Sequence, residues 1–318
     1  FKPFVYGAAM QLGLSTEHRY LDGAVAIPLA DGSVWQPTDA GGPSGTMMTM
    51  REGLVQSKNT ITAQVMQDVG APAVVRFAQA AGVRDSTLDP VPSLALGTSP
   101  VTLLDMADAY ATLAALGERQ EPLLITQIAD RNGRVLEAFG SSPERVLDPS
   151  LIARLVDVMR GVVQTGTGAA IRSEWGVRGD LAGKTGTTQN NTDGWFMLMS
   201  PTLVSGAWVG FNDPRVTIRS NYWGQGAHNA LRLVGAFMQQ AQKTRRVDMK
   251  AVFPQVQRDA PEVTEPPAAS PLDASAMVAP LFTRLARFLG LPPPAPPRPM
   301  STAEAAADKE MHDRAIGR

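Results

Sequence analysis

The sequence predicts an α/β protein of the α+β kind: an antiparallel sheet flanked by helices, with an all-helical part, followed by a segment too polar and proline-rich to pack. Three observations lead there. Apolar residues recur at helical spacing in one stretch after another, bounded by capping residues, proline and glycine. The longest uncharged run, Gly194 to Asn212, carries Pro201 among Ser and Thr residues near its middle. That makes it two buried strands joined by a turn rather than a membrane span. After Lys243 the composition shifts to proline, alanine and charge, which divides the chain into a folded part, 1–243, and a largely disordered tail, 244–318.

Taken in order, Phe1 to Met10 reads as a mostly apolar helix in which Pro3 is tolerable only near the first turn. Leu21 to Pro37 is extended, turning at Ala30-Asp31-Gly32-Ser33, and a glycine-rich loop follows around Gly41-Gly42-Pro43. Thr49-Met50-Arg51-Glu52 has capping-box spacing and starts a helix that ends near Gln56. Ser57-Lys58-Asn59 comes directly after it. Helices are then expected over Thr60–Val69, from Ala71 to near Gly82, and over Val101–Leu116 with Ser99-Pro100 as its cap and Gly117 as its stop. Leu123–Ala129 and Arg134–Phe139, around Asp130-Arg131-Asn132-Gly133, form a hairpin. A helix over Pro149–Val163 leads through Gln164-Thr165-Gly166-Thr167-Gly168 to the Lys184 segment, then to the two apolar strands and a closing helix over Ala227–Gln242. In the tail only Met277–Leu289 has the pattern of a short amphipathic helix.

Composition excludes several classes. With 318 residues, 44% of them hydrophobic, there is material for one substantial core. A net charge of −1 gives no basic excess for nucleic acid. No cysteine is present, so there is no disulfide, no thiolate nucleophile and no cysteine metal site. His18, His228 and His312 are scattered without metal-ligand spacing, and a Ser-His-Asp triad is not expected.

The densest chemistry lies in Gly183-Lys184-Thr185-Gly186-Thr187-Thr188. Gly-Lys-Thr also ends the phosphate-binding loop, but that pattern needs a glycine where Arg178 stands and a helix directly after Thr185. β-Branched threonines, Gly186 and the run Gln189-Asn190-Asn191-Thr192-Asp193 suit a strand entering a turn. Taken singly, Lys2 could be an ordinary helix-start lysine, Ser57 and Asn59 could be caps, and Lys58 would point to solvent. Together they form a set.

Phe1-Lys2-Pro3-Phe4, Ser57-Lys58-Asn59 and Lys184-Thr185-Gly186-Thr187 resemble, in the right order, the three motifs of a penicillin-binding protein transpeptidase domain. Leu96-Gly97-Thr98-Ser99-Pro100-Val101-Thr102-Leu103-Leu104-Asp105 and Val163-Gln164-Thr165-Gly166-Thr167-Gly168 resemble the bifunctional class A members more specifically. The resemblance covers Phe1 to about Gln242 and implies the fold shared with serine β-lactamases. With Lys2 as the lysine of the family's Ser-x-x-Lys motif, the nucleophilic serine falls two positions before Phe1. The chain therefore reads as a fragment, inactive by itself, of a longer protein with a membrane anchor and a glycan-polymerising domain upstream.

By that resemblance Lys2 is the base and Ser57 relays its proton to the leaving amine. Asn59 orients Lys2 and the substrate amide, and Lys184 tunes Ser57. The hydroxyls of Thr185 and Thr187 would hold the substrate carboxylate beside Thr188, Gly186 lets the backbone come close, and the Thr187 amide contributes to the oxyanion hole. The resemblance implies no cofactor and no metal. The implied partners are peptidoglycan stem peptides ending in D-Ala-D-Ala, β-lactam antibiotics and other cell-wall synthesis proteins, at the periplasmic face of a bacterial inner membrane. A carboxypeptidase or β-lactamase that passes the acyl group to water, and a non-catalytic scaffold, stay open as alternatives. Against the β-lactamase, no Glu-x-x-x-Asn lies between the second and third motifs.

Overall fold

The computed structural model describes residues 1–29, 31–188, 191–213 and 215–259. Its centre is α1 (Lys2–Gln11), with Pro3 in the first turn, where a missing N–H costs nothing. Phe4, Val5 and Ala9 have no exposed surface, because α1 is wrapped by other helices rather than lying on a surface. At Gly7 a Cβ atom would strike the Phe77 ring, so glycine is what lets a neighbouring helix come this close.

Four short strands follow: β1 (Arg19–Leu21), β2 (Ile27–Pro28), β3 (Val34–Trp35) and β4 (Met47–Thr49), paired β1 with β4 and β2 with β3, all antiparallel. The expected capping box starts α2 (Met50–Val55): the Glu52 amide donates to Thr49 Oγ1 at 3.1 Å, and the Thr49 amide donates to Glu52 at 2.7 Å. Then come α3 (Asn59–Val69) and α4 (Ala71–Ala81), separated by Gly70 at φ 79°. Ser57 and Asn59 do not cap α3. Lys58 is its N-cap residue and makes no side-chain capping bond.

A 3-10 turn, Pro92–Leu96, precedes α5 (Leu103–Ala114). Here the expected start is corrected. Thr102, not Ser99, caps α5 by accepting from the Asp105 amide at 3.0 Å, while Ser99 Oγ accepts from the Asp89 amide. Thr102 and Asp105 repeat the cap spacing three residues further on, and that second signal wins. The hairpin expected at 123–139 forms as β6 (Gln127–Ala129) and β7 (Val135–Ala138), enclosed by β5 (Glu118–Arg119) and β8 (Glu144–Arg145). Asp148 caps α6 (Pro149–Gln164), and α7 (Ala170–Ser173) is a single turn.

β9 (Ala182–Thr187), β10 (Asp193–Met199) and β11 (Val204–Gly210) form one antiparallel sheet in the order β11-β10-β9, and α8 (Ala230–Lys243) closes the fold. The period of two sends Ala182, Met197 and Met199 into the core around α1, and Phe196 and Leu198 into a second core beneath α8. Burial on both faces explains why the run from Gly194 has no charge. Register pairs Lys184 with Met197, so the Lys184 side chain is carried toward α1.

The boundary at Lys243 is also corrected. Packing continues to Asp259 as a strap: Val247 and Phe253 are buried, and Phe253 exchanges bonds with a buried Arg160–Asp180 pair. Asp259 accepts from the Thr16 amide at 2.8 Å and from Ser15 Oγ at 3.0 Å. A polar, proline-bearing composition suggested disorder, but a few apolar and charged anchors suffice to hold extended chain. The expected helix 277–289 lies outside the described residues, as do Ala30 of the first expected turn and Gln189 and Asn190.

Candidate active site

Three elements bring the sequence-selected residues together. Lys2 sits in the first turn of α1, Ser57 and Asn59 lie at the α2–α3 corner, and Lys184 is on β9. Lys2 Nζ donates to the Ser57 carbonyl at 2.5 Å and to Asn59 Oδ1 at 2.6 Å, and lies 3.3 Å from Ser57 Oγ. Lys184 Nζ donates to Ser57 Oγ at 2.8 Å and to the Thr185 carbonyl at 2.9 Å. The Ser57 hydroxyl thus stands between two lysines. Its backbone is left-handed, φ 59°, a conformation that costs a serine about 1 kcal/mol and turns both its carbonyl and its hydroxyl inward.

Lys2 and Lys184 are 9% and 4% exposed, almost fully out of water. Burial pushes the Lys2 amine down to about 7, against which the Asp39 carboxylate pulls upward. Burial also lowers Lys184 well below the ordinary lysine range, and the neighbouring charge of Lys2 lowers it further. Two cations this close cannot both be held without water. One amine of the pair is therefore readily freed to accept a proton.

Lys2 Nζ has the Ser57 carbonyl, Asn59 Oδ1 and Ser57 Oγ as acceptors, and Lys184 Nζ has Ser57 Oγ and the Thr185 carbonyl, so the two amines share the Ser57 hydroxyl.

A small cleft of about 70 Å³ runs along β9, lined by Lys184 to Thr188 on one side and by Phe1, Val101 and Tyr110 on the other. Thr185 Oγ1 shares a hydrogen bond with Thr167 Oγ1 at 2.6 Å. Thr187 Oγ1 accepts from the Gly226 amide at 3.1 Å, leaving its own proton to donate. Thr188 differs from the others: its hydroxyl bonds Thr192 and the Asp193 carbonyl, so it is occupied with the turn. No cluster of His, Cys, Asp or Glu among the described residues could hold a metal ion.

Sequence reasoning missed a supporting ring. Lys58 is not in solvent; its Nζ donates to the fully buried Asp22 at 2.8 Å. Burial opposes the Asp22 charge, but donors from Lys58, Thr60 and the Ser44 amide outweigh it and hold the carboxyl below its usual range. Asp39 accepts from the Asn59 amide, and Thr38 from Asn59 Nδ2, both at 2.7 Å. Only Thr167 carried a signal, as part of the Gln164–Gly168 motif.

The loop 220–229 is seated equally tightly on the far side. At Gly226 a Cβ would collide with the carbonyl oxygens of Gly186 and Trp195, both ladder backbone that cannot give. Gly226→Ala should therefore cost about 1–3 kcal/mol, read as a lowered urea midpoint. An unchanged midpoint would show that the loop is not anchored there.

The model of the penicillin-binding protein transpeptidase domain matches residues 1–203. The chain belongs to that family. Penicillin-binding protein 1A of Neisseria gonorrhoeae is 34% identical over 233 residues, 70% of this chain and 29% of that protein. The chain thus spans less than a third of the length of that relative. Among solved structures, penicillin-binding protein 1A of Haemophilus influenzae superposes with a TM-score of 0.72 at 25% identity, over 80% of this chain and 43% of that one. PonA1 of Mycobacterium tuberculosis in complex with penicillin V gives 0.65 at 22% identity, over 81% and 71%. The transpeptidase fold of an antiparallel sheet, flanking helices and a helical subregion is the one expected from the sequence.

Proposed function

We propose that this domain belongs to a peptidoglycan cross-linking DD-transpeptidase of the bifunctional class A kind, and that Lys2, Ser57, Asn59 and Lys184 are its catalytic residues, with Thr185, Gly186 and Thr187 binding substrate. The observation that carries the reading is the convergence of two dry lysines on one serine hydroxyl. The attacking serine would stand two positions ahead of Phe1, within a turn of Lys2.

In that reaction Lys2 Nζ takes the serine proton as the oxygen attacks the penultimate D-Ala carbonyl. The Thr187 amide and the serine's own amide receive the oxyanion. Collapse expels the terminal D-Ala, whose amine takes its proton through Ser57 Oγ, re-supplied across the Lys2–Ser57–Lys184 contacts. The amine of a second stem peptide then displaces the serine and completes the cross-link. Thr185 and Thr187 hydroxyls hold the donor carboxylate, and Lys184 supplies the charge opposite it. β-Lactams enter the same site; PonA1, which shares the fold, has been solved in complex with penicillin V. The protein works at the periplasmic face of the inner membrane, among cell-wall synthesis partners. Among the described residues, no helix is long and apolar enough to cross a membrane.

Fluorescent-penicillin labelling of the chain extended upstream through Ser-Xaa and several residues before it tests this. Labelling that vanishes on Ser→Ala at the added position supports the reading; none in a folded chain refutes it. The rate should also depend on pH with a definite sign. Lys2 is protonated and idle below its folded pKa near 7, so acylation rises through about pH 7 and then levels. A flat profile from about pH 5.5 to 8.5 would remove Lys2 as the base.

A further inference from the structure

We propose that Asp39 is a positioning residue for the reacting lysine: from a loop outside the helical core it holds Asn59 in the orientation that receives Lys2 Nζ, and its charge sets the pH at which that amine is freed. The proposal rests on Lys2 being the base, as read above. Asp39 Oδ1 accepts from the Asn59 backbone amide at 2.7 Å, and its other oxygen lies 3.0 Å from Thr60 Oγ1, whose one proton goes to Asp22. The carboxylate thereby takes up an amide donor at the first turn of α3, where negative charge is also favoured by the helix dipole. The preceding residue completes the grip. The Thr38 carbonyl takes one hydrogen of Asn59 Nδ2 at 2.7 Å, which leaves Oδ1 turned toward Lys2 at 2.6 Å. Backbone and side chain of Asn59 are thus both fixed by residues 38 and 39.

The loop itself is pinned. Thr60 Oγ1, beside Asp39, donates to Asp22 at 2.7 Å, and Asp22 is tied to Lys58 and to the Ser44 amide. Within this frame few charges face Lys2. Lys184 approaches from β9 through Ser57. Lys58 is turned away to Asp22, and Tyr6, one turn along α1, is spent on Thr62. α4 and α6 present apolar side chains such as Phe77, Leu155 and Met159 to the core around α1. Asp39 is the charge that pulls the Lys2 amine upward against the burial that lowers it.

Asp39→Asn keeps an oxygen for the Asn59 amide and removes only the charge. In the chain as it stands, carbon-13 lysine spectra, with Lys2 assigned from Lys2→Arg, should show the Lys2 midpoint falling by roughly one pH unit. In the chain extended upstream as above, the acid limb of penicillin acylation should move to lower pH by the same amount. Asp39→Ala also frees Asn59 and should lower the plateau rate roughly tenfold, beyond the limb shift, a loss that Asp39→Asn largely avoids. A helix-capping role alone would lower the melting temperature and leave the Lys2 midpoint where it is, and that result overturns the proposal. A midpoint that falls as expected in a chain that never acylates would uphold the coupling of Asp39 to Lys2 and refute the transpeptidase reading instead.

Discussion

In the chain extended upstream through Ser-Xaa, Lys184→Ala should lower penicillin acylation about 10²–10⁴-fold, the range expected when a positioned proton-transfer group is lost. Two effects add. Lys184 Nζ donates to Ser57 Oγ at 2.8 Å from a buried position, so its removal leaves the relay hydroxyl unoriented beside a void. In the proposed reaction it also removes the group opposite the substrate carboxylate. The same substitution has a second signature of fixed sign. Burial is the largest cause of the lowered Lys2 amine, and the void left by Lys184 lets water come nearer, so the Lys2 amine holds its proton more strongly. The acid limb of the rate profile should therefore move to higher pH, opposite to the shift expected for Asp39→Asn. Lys184→Arg should not rescue, because a planar guanidinium does not fit where a compact ammonium meets both Ser57 Oγ and the Thr185 carbonyl. A loss below tenfold, or an unmoved limb, would take Lys184 out of the proton path.

How much of this was legible in the chain depends on range. The β10–β11 run and the Thr49–Glu52 capping box were readable, because each is decided by residues within one element and its turn. The three motifs were readable as a set because their chemistry is unusual for their positions. Lys58 was not. Its partner Asp22 lies 36 residues away, and a lysine between two helices has solvent as its default environment. Asp39 was hidden for the same reason: nothing in Pro37-Thr38-Asp39 distinguishes a loop that grips Asn59 from any polar loop. Thr102 defeated the Ser99-Pro100 cap because two overlapping cap signals cannot be ranked without knowing where α5 must start to pack. Thr188 was harder to place. Three hydroxyls in six residues look alike, and only the turn geometry shows that this one bonds back to Thr192 and Asp193.

The strap 244–259 was misread as tail, and the residue that holds it gives the largest stability effect expected here. Arg160 is 6% exposed and makes a two-pronged ion pair with Asp180, at 2.8 and 2.5 Å. The same guanidinium donates to the Phe253 carbonyl at 3.1 Å and to the Pro254 carbonyl at 3.4 Å, and stands over the Phe253 ring at 5.6 Å. Asp180 in turn accepts from the Phe253 amide at 2.8 Å. Arg160→Ala removes every one of the arginine's bonds and leaves a largely buried carboxylate with a single amide donor. Breaking such a pair from one side costs about 3–5 kcal/mol, more than the intact pair contributes over an apolar replacement. The urea midpoint should fall accordingly, and amides around Phe253 should lose hydrogen-exchange protection before those of α6. Arg160→Lys should recover only part of the loss, because one ammonium cannot grip both carboxylate oxygens and two carbonyls at once. If Arg160→Ala costs less than about 1 kcal/mol, or if exchange near Phe253 is fast in the unaltered chain, the strap is not held by this pair. The contact matters beyond its own energy. Arg160 lies on α6, the helix that borders β9, while the strap's far end fastens to Thr16 just beyond α1. The elements carrying Lys184 and Lys2 are thus braced from behind by one extended segment, and loosening it should reach the site as reduced rigidity of the Lys2–Ser57–Lys184 contacts.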